Sequence, residues 1–580
     1  MQKKDTHLPK SKVSHQICNW LRDLGPRHIF LVPGSQIDPL SATIAEESTL
    51  ETIVTCHELG AGFMADGYSR ATGRPGICLG IGGPGAVYML PSAMVSRVDE
   101  SPVLFITGDV PTWLKGHFCF QETGMKGSRD RETFRILAGF SKVIDRKEKT
   151  RPVLEMVKKR LSANLPAHLV IPHDVQDEAS FVTHKTGTVP LKEAEKQDYS
   201  DPYEIATVIP EAIMHSRLPI ILAGHQLLWE DGPELLKQFA EVTGIHVATT
   251  YRAKGVLPED HPLSIGSFGF AGSKKSFDAI LDSTCDLLLL FGAPMNQRNT
   301  FDWDFRLIGA NRKIIAINSA GIEGFIGSTT NHCLNVRRIP ELLRIILSQL
   351  STNGFKSPHS FPGMVNSSSE PSQYLSAFEG HPRLDWALSC LREKVPSETL
   401  MFIDSGAHRI VAGTAWKVIR PGTFFTSDIE APMGWAICAA IGAKAAKPYV
   451  PVITLTGDGC MRMLGNEIAT AARYRLPVII LVSNNGTYYT TRKRARSETA
   501  KQKLGELPMI DWVEYARSLG ADGHIVTHPS EFDNAVSLAL KSEKPFVIDL
   551  RTHPQEPFSS DLTLPAGPWP EPEMVKNRNV

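Results

Sequence analysis

The chain is predicted to be an α/β protein of three consecutive α/β domains with parallel sheets, and three observations carry that expectation. Its 580 residues are too many for one hydrophobic core and fit three or four domains. Apolar runs at 28–32, 103–107, 219–223, 286–291, 451–456 and 477–482 are short and continuous, as strands buried on both faces must be, and helix-like segments stand between them. Two polar stretches, one around 192–202 and one at 351–379 rich in Ser, Pro, Gly and Asn, divide this alternation into blocks. The expected domains are 11–182, 200–350 and 380–555, with a linker at 351–379 and a Pro-rich tail at 556–580.

Composition narrows the function classes. The 62 basic and 62 acidic residues cancel, so no global field attracts nucleic acid. Nine cysteines, an odd number with no Cys-x-x-Cys pair, suggest neither a disulfide framework nor a zinc site, and the expected setting is a reduced cytoplasm. The first ten residues are charged with no apolar run behind them, and no stretch reaches the length of a membrane span. Neither secretion nor membrane insertion is expected.

In the first block, the strand at 28–32 runs into Pro33-Gly34-Ser35, and a helix is expected from Cys56-His57-Glu58-Leu59-Gly60 to Arg70. A single Glu58 on a helix would ordinarily be a solvated surface group. The strand-like 76–79 leads into Gly80-Ile81-Gly82-Gly83-Pro84-Gly85, which satisfies Gly-x-Gly-x-x-Gly, with Asp99 and Glu100 near the distance of a ribose contact. Alone, that pattern suggests a nicotinamide dehydrogenase.

In the third block, the strand at 451–456 meets Gly457-Asp458-Gly459, where the glycines allow a tight turn that brings backbone N–H groups close to a ligand. A helix is predicted over 464–475, with Leu464, Ile468, Ala471 and Ala472 on one side. The strand at 477–482 then ends at Asn484-Asn485-Gly486-Thr487. In a strand-helix-strand unit both strand ends open at one edge of a parallel sheet, so Asp458 and Asn485, 27 positions apart, can converge on one ion. Oxygen donors suit a hard cation that keeps phosphate oxygens in its shell. The alternative is two ordinary turns.

These motifs together resemble the thiamine-diphosphate enzymes, in particular the group of acetohydroxyacid synthase, pyruvate oxidase and benzoylformate decarboxylase, over nearly the whole chain. The resemblance implies that Asp458, Asn485 and the backbone oxygen of Thr487 bind Mg²⁺. It implies that Glu58 hydrogen-bonds the aminopyrimidine ring of thiamine diphosphate and favours the imino tautomer that deprotonates the thiazolium. Glu430-Ala-Pro-Met433-Gly434 resembles the segment whose bulky apolar residue, here Met433, wedges beneath the bent cofactor. Asp404-Ser405-Gly406-Ala407-His408 resembles the diphosphate loop, which makes Gly406, Ala407 and His408 cofactor contacts beside Gly457, Gly459, Cys460 and Tyr488. Gly82-Gly83-Pro84-Gly85 also fits this family's glycine turn, which displaces the dehydrogenase reading.

The reaction is less sharply specified. Phe118-Cys119-Phe120-Gln121-Glu122 resembles the synthases' Ala-Phe-Gln-Glu segment, which makes Gln121 a substrate contact and nearby His117 a candidate proton carrier. Arg298 keeps the second arginine of the synthases' Gly-x-Arg-Phe-Asp-Asp-Arg motif, while Pro294 replaces the first. Ser35 matches a serine that touches the substrate carboxylate in benzoylformate decarboxylase, yet Ile81 stands where that enzyme has its active-site histidine. Thr490 and Arg494 replace the methionine and tryptophan of acetolactate producers, and Arg492 and Arg494 suggest an anionic substrate. The expected activity is a carboligase or acyltransferase acting on a 2-oxo acid, with or without an acceptor carbonyl compound; the alternative is a 2-oxo acid decarboxylase releasing an aldehyde. The resemblance implies a homodimer or homotetramer with sites between subunits. It leaves FAD or ADP in the central domain open.

Overall fold

The computed structural model describes residues 10–117, 119–124, 127–181, 199–301, 304–308, 312–318, 332–359 and 374–557. Three six-stranded sheets, every pairing parallel, organise the described residues. The first contains β1 (His28–Leu31), β2 (Glu51–Val54), β3 (Gly76–Gly80), β4 (Val103–Asp109), β5 (Ser141–Val143) and β6 (Ala167–Pro172) in the order β2-β1-β3-β4-β6-β5. Its helices α1 (Glu58–Thr72) and α2 (Pro84–Val98) follow β2 and β3. Strands β1, β3, β4 and β6 are buried along their whole length, which is why their sequences read as unbroken apolar runs.

The central sheet orders β7 (Pro219–Ala223), β8 (His246–Thr250), β9 (Ser264–Phe268), β10 (Leu287–Phe291), β11 (Lys313–Asn318) and β12 (His332–Asn335) as β9-β8-β7-β10-β11-β12. Strand succession reverses between β7 and β10, the place where open α/β sheets accept ligands. Glu100 reaches this point from the first domain: its carboxylate lies 3.2 Å from His225 Nε2 and accepts from Gln226 Nε2 at 3.2 Å. Asp99 is buried and receives Arg70 Nη2 at 2.7 Å. Both acidic residues after the glycine run are thus committed to protein partners. Neither is placed for the ribose contact that a dehydrogenase requires.

The third sheet comprises β13 (Leu400–Ile403), β14 (Phe424–Thr426), β15 (Val452–Gly457), β16 (Val478–Asn484), β17 (Asp522–Val526) and β18 (Phe546–Arg551), ordered β14-β13-β15-β16-β18-β17. Helix α3 (Trp435–Ala446) lies against α1, and glycines let the two backbones touch. A Cβ on Gly67 would stand 2.0 Å from the Ala439 carbonyl oxygen, and one on Gly442 would stand 1.9 Å from that of Met64. The contact merges the cores of the first and third domains into one apolar cluster. It is pinned by buried polar bonds: Trp435 Nε1 donates to Asp66 at 2.8 Å, and Arg70 donates to Asp66 at 2.9 Å and to the Thr426 carbonyl at 2.9 Å.

One predicted element is different. The helix expected over 464–475 starts earlier, as α4 (Asp458–Leu464), and breaks at a short 3₁₀ turn, Gly465–Glu467, before a helix at Ile468–Arg473. The break has its cause across the domain boundary. Glu467 is fully buried and turns its carboxylate to the Cys56 N–H at 3.1 Å, so the chain leaves the helical path to dock on the first domain.

Candidate functional site

The C-terminal ends of β13, β15, β16 and β18 surround a cleft of about 170 Å³. Asp458 opens α4 immediately after β15 and is 4 % exposed. Its Oδ2 is buried with no hydrogen-bond partner among the described residues, and desolvation pushes its carboxyl up to about 6. Asn485, just past β16, receives the Thr487 N–H at 3.0 Å and the Thr487 hydroxyl at 2.9 Å on its Oδ1. That pair closes the loop so that Asp458, Asn485 and Thr487 all line the same cleft. A buried carboxylate oxygen without a donor is costly, and a hard cation between these oxygens would satisfy it.

The loop after β13 forms the opposite wall. Asp404 is 1 % exposed and ties three loops together: it accepts from Ser405 N at 2.9 Å, from Gly434 N at 2.9 Å and from Thr456 Oγ1 at 2.9 Å. Burial pushes its carboxyl up to about 6. His408 is buried, which lowers it to about 3, and its Nε2 lies 3.1 Å from the Asp404 carbonyl. Because a carbonyl only accepts, Nε2 carries the proton of this neutral ring. Gly406 has φ +155°, and a Cβ there would stand 2.6 Å from His408 Cε1. Gly459 is roofed over: a Cβ would stand 3.0 Å from Met433 Cε and 2.7 Å from Tyr488 Cε1. Gly406, Ala407, His408, Met433, Gly457, Cys460 and Tyr488 therefore share one cavity with the three oxygen donors.

Other predicted residues lie elsewhere. Glu58 begins α1, where His57 caps the helix by accepting the Leu59 N–H on Nδ1 at 3.0 Å. The Glu58 side chain is 12 % exposed, and a Cβ on Gly85 would stand 3.1 Å from its Oε1, but it does not line the cleft of Asp458. Gln121 faces a separate cleft of about 460 Å³ on the first domain, with Gly83, Pro84, Tyr88 and Cys119. His117 is exposed and lines neither cleft, and Ser35 is exposed at the start of a 3₁₀ turn. Arg298 places its guanidinium 4.4 Å from the centre of the Phe270 ring, with Nη1 buried and without a hydrogen-bond partner among the described residues. On the helix Tyr489–Arg494, the residues that line the cleft are Tyr489, Thr490 and Thr491. Arg492 packs against Gly505 instead, and Arg494 is exposed.

The cleft also contains residues that were not expected as contacts from the sequence. Ser405, Thr552, His553 and Glu556 line it, and burial pushes Glu556 up to about 7. The last three follow β18, the strand beside β16, so the rule that sites form at parallel strand ends could have found them. Their sequence carries no recognisable motif.

Comparison with known proteins matches the chain domain by domain and over nearly its full length. Models of the thiamine pyrophosphate enzyme N-terminal TPP binding domain, central domain and C-terminal TPP binding domain match residues 11–129, 207–328 and 404–550. The chain is 30 % identical over 568 residues to a protein of Methanocaldococcus jannaschii described as a probable acetolactate synthase large subunit, covering 94 % of this chain and 92 % of that one. It is 28 % identical over 551 residues to the acetolactate synthase large subunit of Corynebacterium glutamicum, covering 91 % and 85 %. Its fold is shared with a thiamine diphosphate-dependent 4-hydroxybenzoylformate decarboxylase of Rhodococcus jostii RHA1, at a TM-score of 0.77 and 20 % identity, covering 94 % and 99 %. With all three domain types matched in order and a relative aligned over nearly its full length, the chain belongs to the thiamine pyrophosphate enzymes.

Proposed function

We propose that this chain is a thiamine-diphosphate- and Mg²⁺-dependent carboligase or acyltransferase acting on a 2-oxo acid, similar to acetolactate synthase. The observation that carries the proposal is the orphaned Oδ2 of Asp458, buried in a cleft shared with Asn485, Thr487 and the loop from Ser405 to His408. In this reading Asp458, the Asn485 side chain and the Thr487 carbonyl hold the cation. Gly406, Ala407, His408, Gly457, Gly459, Cys460 and Tyr488 surround the diphosphate, and Met433 supports the bend between the rings. Thiamine diphosphate supplies a carbon nucleophile and an electron sink for loss of CO₂. Glu58 holds the pyrimidine end by a hydrogen bond, and Gln121 orients the substrate.

Because Glu58 does not line the cleft of its own chain, the site is completed by a second copy, in a homodimer or homotetramer. The unpaired thiols among the described residues suit a reduced cytoplasm. A flavin or ADP in the central domain is no part of the proposal. A second reading, a 2-oxo acid decarboxylase, is favoured by one observation: His553 and Glu556 line the same cleft and are able to deliver a proton.

Titration of the apo protein with thiamine diphosphate and Mg²⁺, followed by product analysis over a panel of 2-oxo acids with and without an acceptor aldehyde, tests both readings. Condensation products support the first and free aldehyde the second. No cofactor binding would sink both. An active monomer in light scattering would remove the shared site, and wild-type C2 proton exchange in loaded Glu58→Gln would remove the role given to Glu58.

A further inference from the structure

We infer that Gln36 is a positioning residue that sets the place of Gln121 at the substrate side of the site, and so controls affinity for the 2-oxo acid. This rests on the proposed role of Gln121. The residue after Ser35 belongs to none of the motifs, yet its side chain spans two loops. Gln36 Oε1 accepts the Gly82 N–H at 2.7 Å, and Gln36 Nε2 donates to the Gln121 carbonyl at 3.0 Å. The amide can point only one way, because the Gly82 N–H only donates and the Gln121 carbonyl only accepts.

The surroundings are shaped around this bridge. Gln36 is 6 % exposed, and its own carbonyl accepts from Gln176 Nε2 at 2.8 Å, which anchors the 3₁₀ turn that carries it. A Cβ on Gly108 would stand 2.6 Å from Gln36 Cβ, and one on Gly82 would stand 3.0 Å from Gln36 Oε1, so neither position leaves room for a side chain. At the far end, Gln121 has φ +58°, a left-handed conformation that strains a non-glycine residue unless its neighbours hold it. The bond from Gln36 is made to the carbonyl of that same residue. A strained Gln121, fixed by a buried amide and facing a cleft of about 460 Å³, is a pre-aimed side chain.

The test separates positioning from packing. Gln36→Glu keeps an acceptor for Gly82 but sets a carboxylate oxygen against the Gln121 carbonyl. Steady-state kinetics use whichever of pyruvate, 2-oxobutyrate and benzoylformate has the lowest KM in the wild type. The expected result is a KM raised about tenfold, a kcat within about twofold and unchanged thiamine diphosphate binding, the size expected for one lost hydrogen bond left facing a carbonyl. In a Gln121→Ala background the same change should add nothing further to KM. If Gln36→Glu does not fold, Gln36→Met keeps the shape, removes both bonds and is read in the same way. A wild-type KM in the Gln36 variant while Gln121→Ala raises KM, or additive effects in the double variant, would overturn the inference alone. A wild-type KM in Gln121→Ala would overturn both it and the proposed role of Gln121, whereas cofactor binding tests the cofactor reading separately.

Discussion

Gly67 and Ala439 meet backbone to backbone, with space for no more than a hydrogen between the Gly67 Cα and the Ala439 carbonyl. The helix of Gly67 begins at Glu58, and the helix of Ala439 follows Met433, so one contact fixes how the two predicted halves of the cofactor site are carried within a chain. Gly67→Ala forces the helices apart. We expect a loss of roughly 1–3 kcal/mol, read as a lower melting temperature, together with weaker thiamine diphosphate binding. An unchanged melting temperature would show that the helices slide past one another at no cost.

Asp404 gives a second prediction. Its carboxylate serves donors from Ser405 in the loop after β13, from Gly434 beside Met433 and from Thr456 on β15. Asp404→Asn has one acceptor oxygen in place of two, so Thr456 keeps its tie only by turning its hydroxyl to accept from the new amide, and the loops are held more weakly, by about 1–2 kcal/mol. Thiamine diphosphate affinity, measured by calorimetry, should fall about tenfold. Wild-type affinity would mean that the three loops hold their places without it.

Asp458→Asn should move stability and binding in opposite directions. The wild-type apo protein buries a carboxylate oxygen that no donor satisfies, and a neutral amide lowers that cost. The apo variant should therefore melt higher than wild type, while Mg²⁺-dependent cofactor binding is lost. A lower apo melting temperature would show that Asp458 serves the fold rather than an ion.

Much of this architecture was legible in the sequence because parallel strands buried on both faces leave continuous apolar runs, such as 219–223 and 451–456, that few other structures produce. The cleft around Asp458 was legible because glycine and asparagine at strand ends are required by backbone geometry rather than by packing. Less visible were residues whose role depends on what lies across a domain boundary. Glu467 breaks its helix to reach Cys56, and nothing local in 464–475 announces that. Asp99 and Glu100 fit a ribose contact by spacing alone, yet Arg70, His225 and Gln226 claim them. Gln36, His553 and Glu556 sit in ordinary sequence and acquire their place only when separate strand ends are brought together.

His168 should contribute to the acid limb of stability with the same sign as the buried His408. Its ring is fully buried in the first domain, with Nε2 2.9 Å from Thr107 Oγ1, Nδ1 2.9 Å from Ser141 Oγ and Phe134 stacked at 3.8 Å. Desolvation lowers it to about 3 from an ordinary 6.5. The unfolded chain therefore takes up this proton first as the pH falls, and stability is lost from about 6.5 downward until the folded ring titrates near 3. At pH 4.5 that loss amounts to roughly 3 kcal/mol, at 1.4 kcal/mol for each unit below the ordinary value. Asp130 and Asp404, raised to about 6 by burial, act in the opposite sense, because the folded state takes up their protons first, so the wild-type curve is a sum of both signs. His168→Gln isolates the histidine: it retains a donor and an acceptor for Thr107 and Ser141 and has no proton to gain. At pH 7.5 the variant should melt below wild type through lost stacking on Phe134, and the gap should shrink or reverse by pH 4.5. An equal gap at both pH values would show that His168 takes up its proton in the folded state as readily as in the unfolded chain.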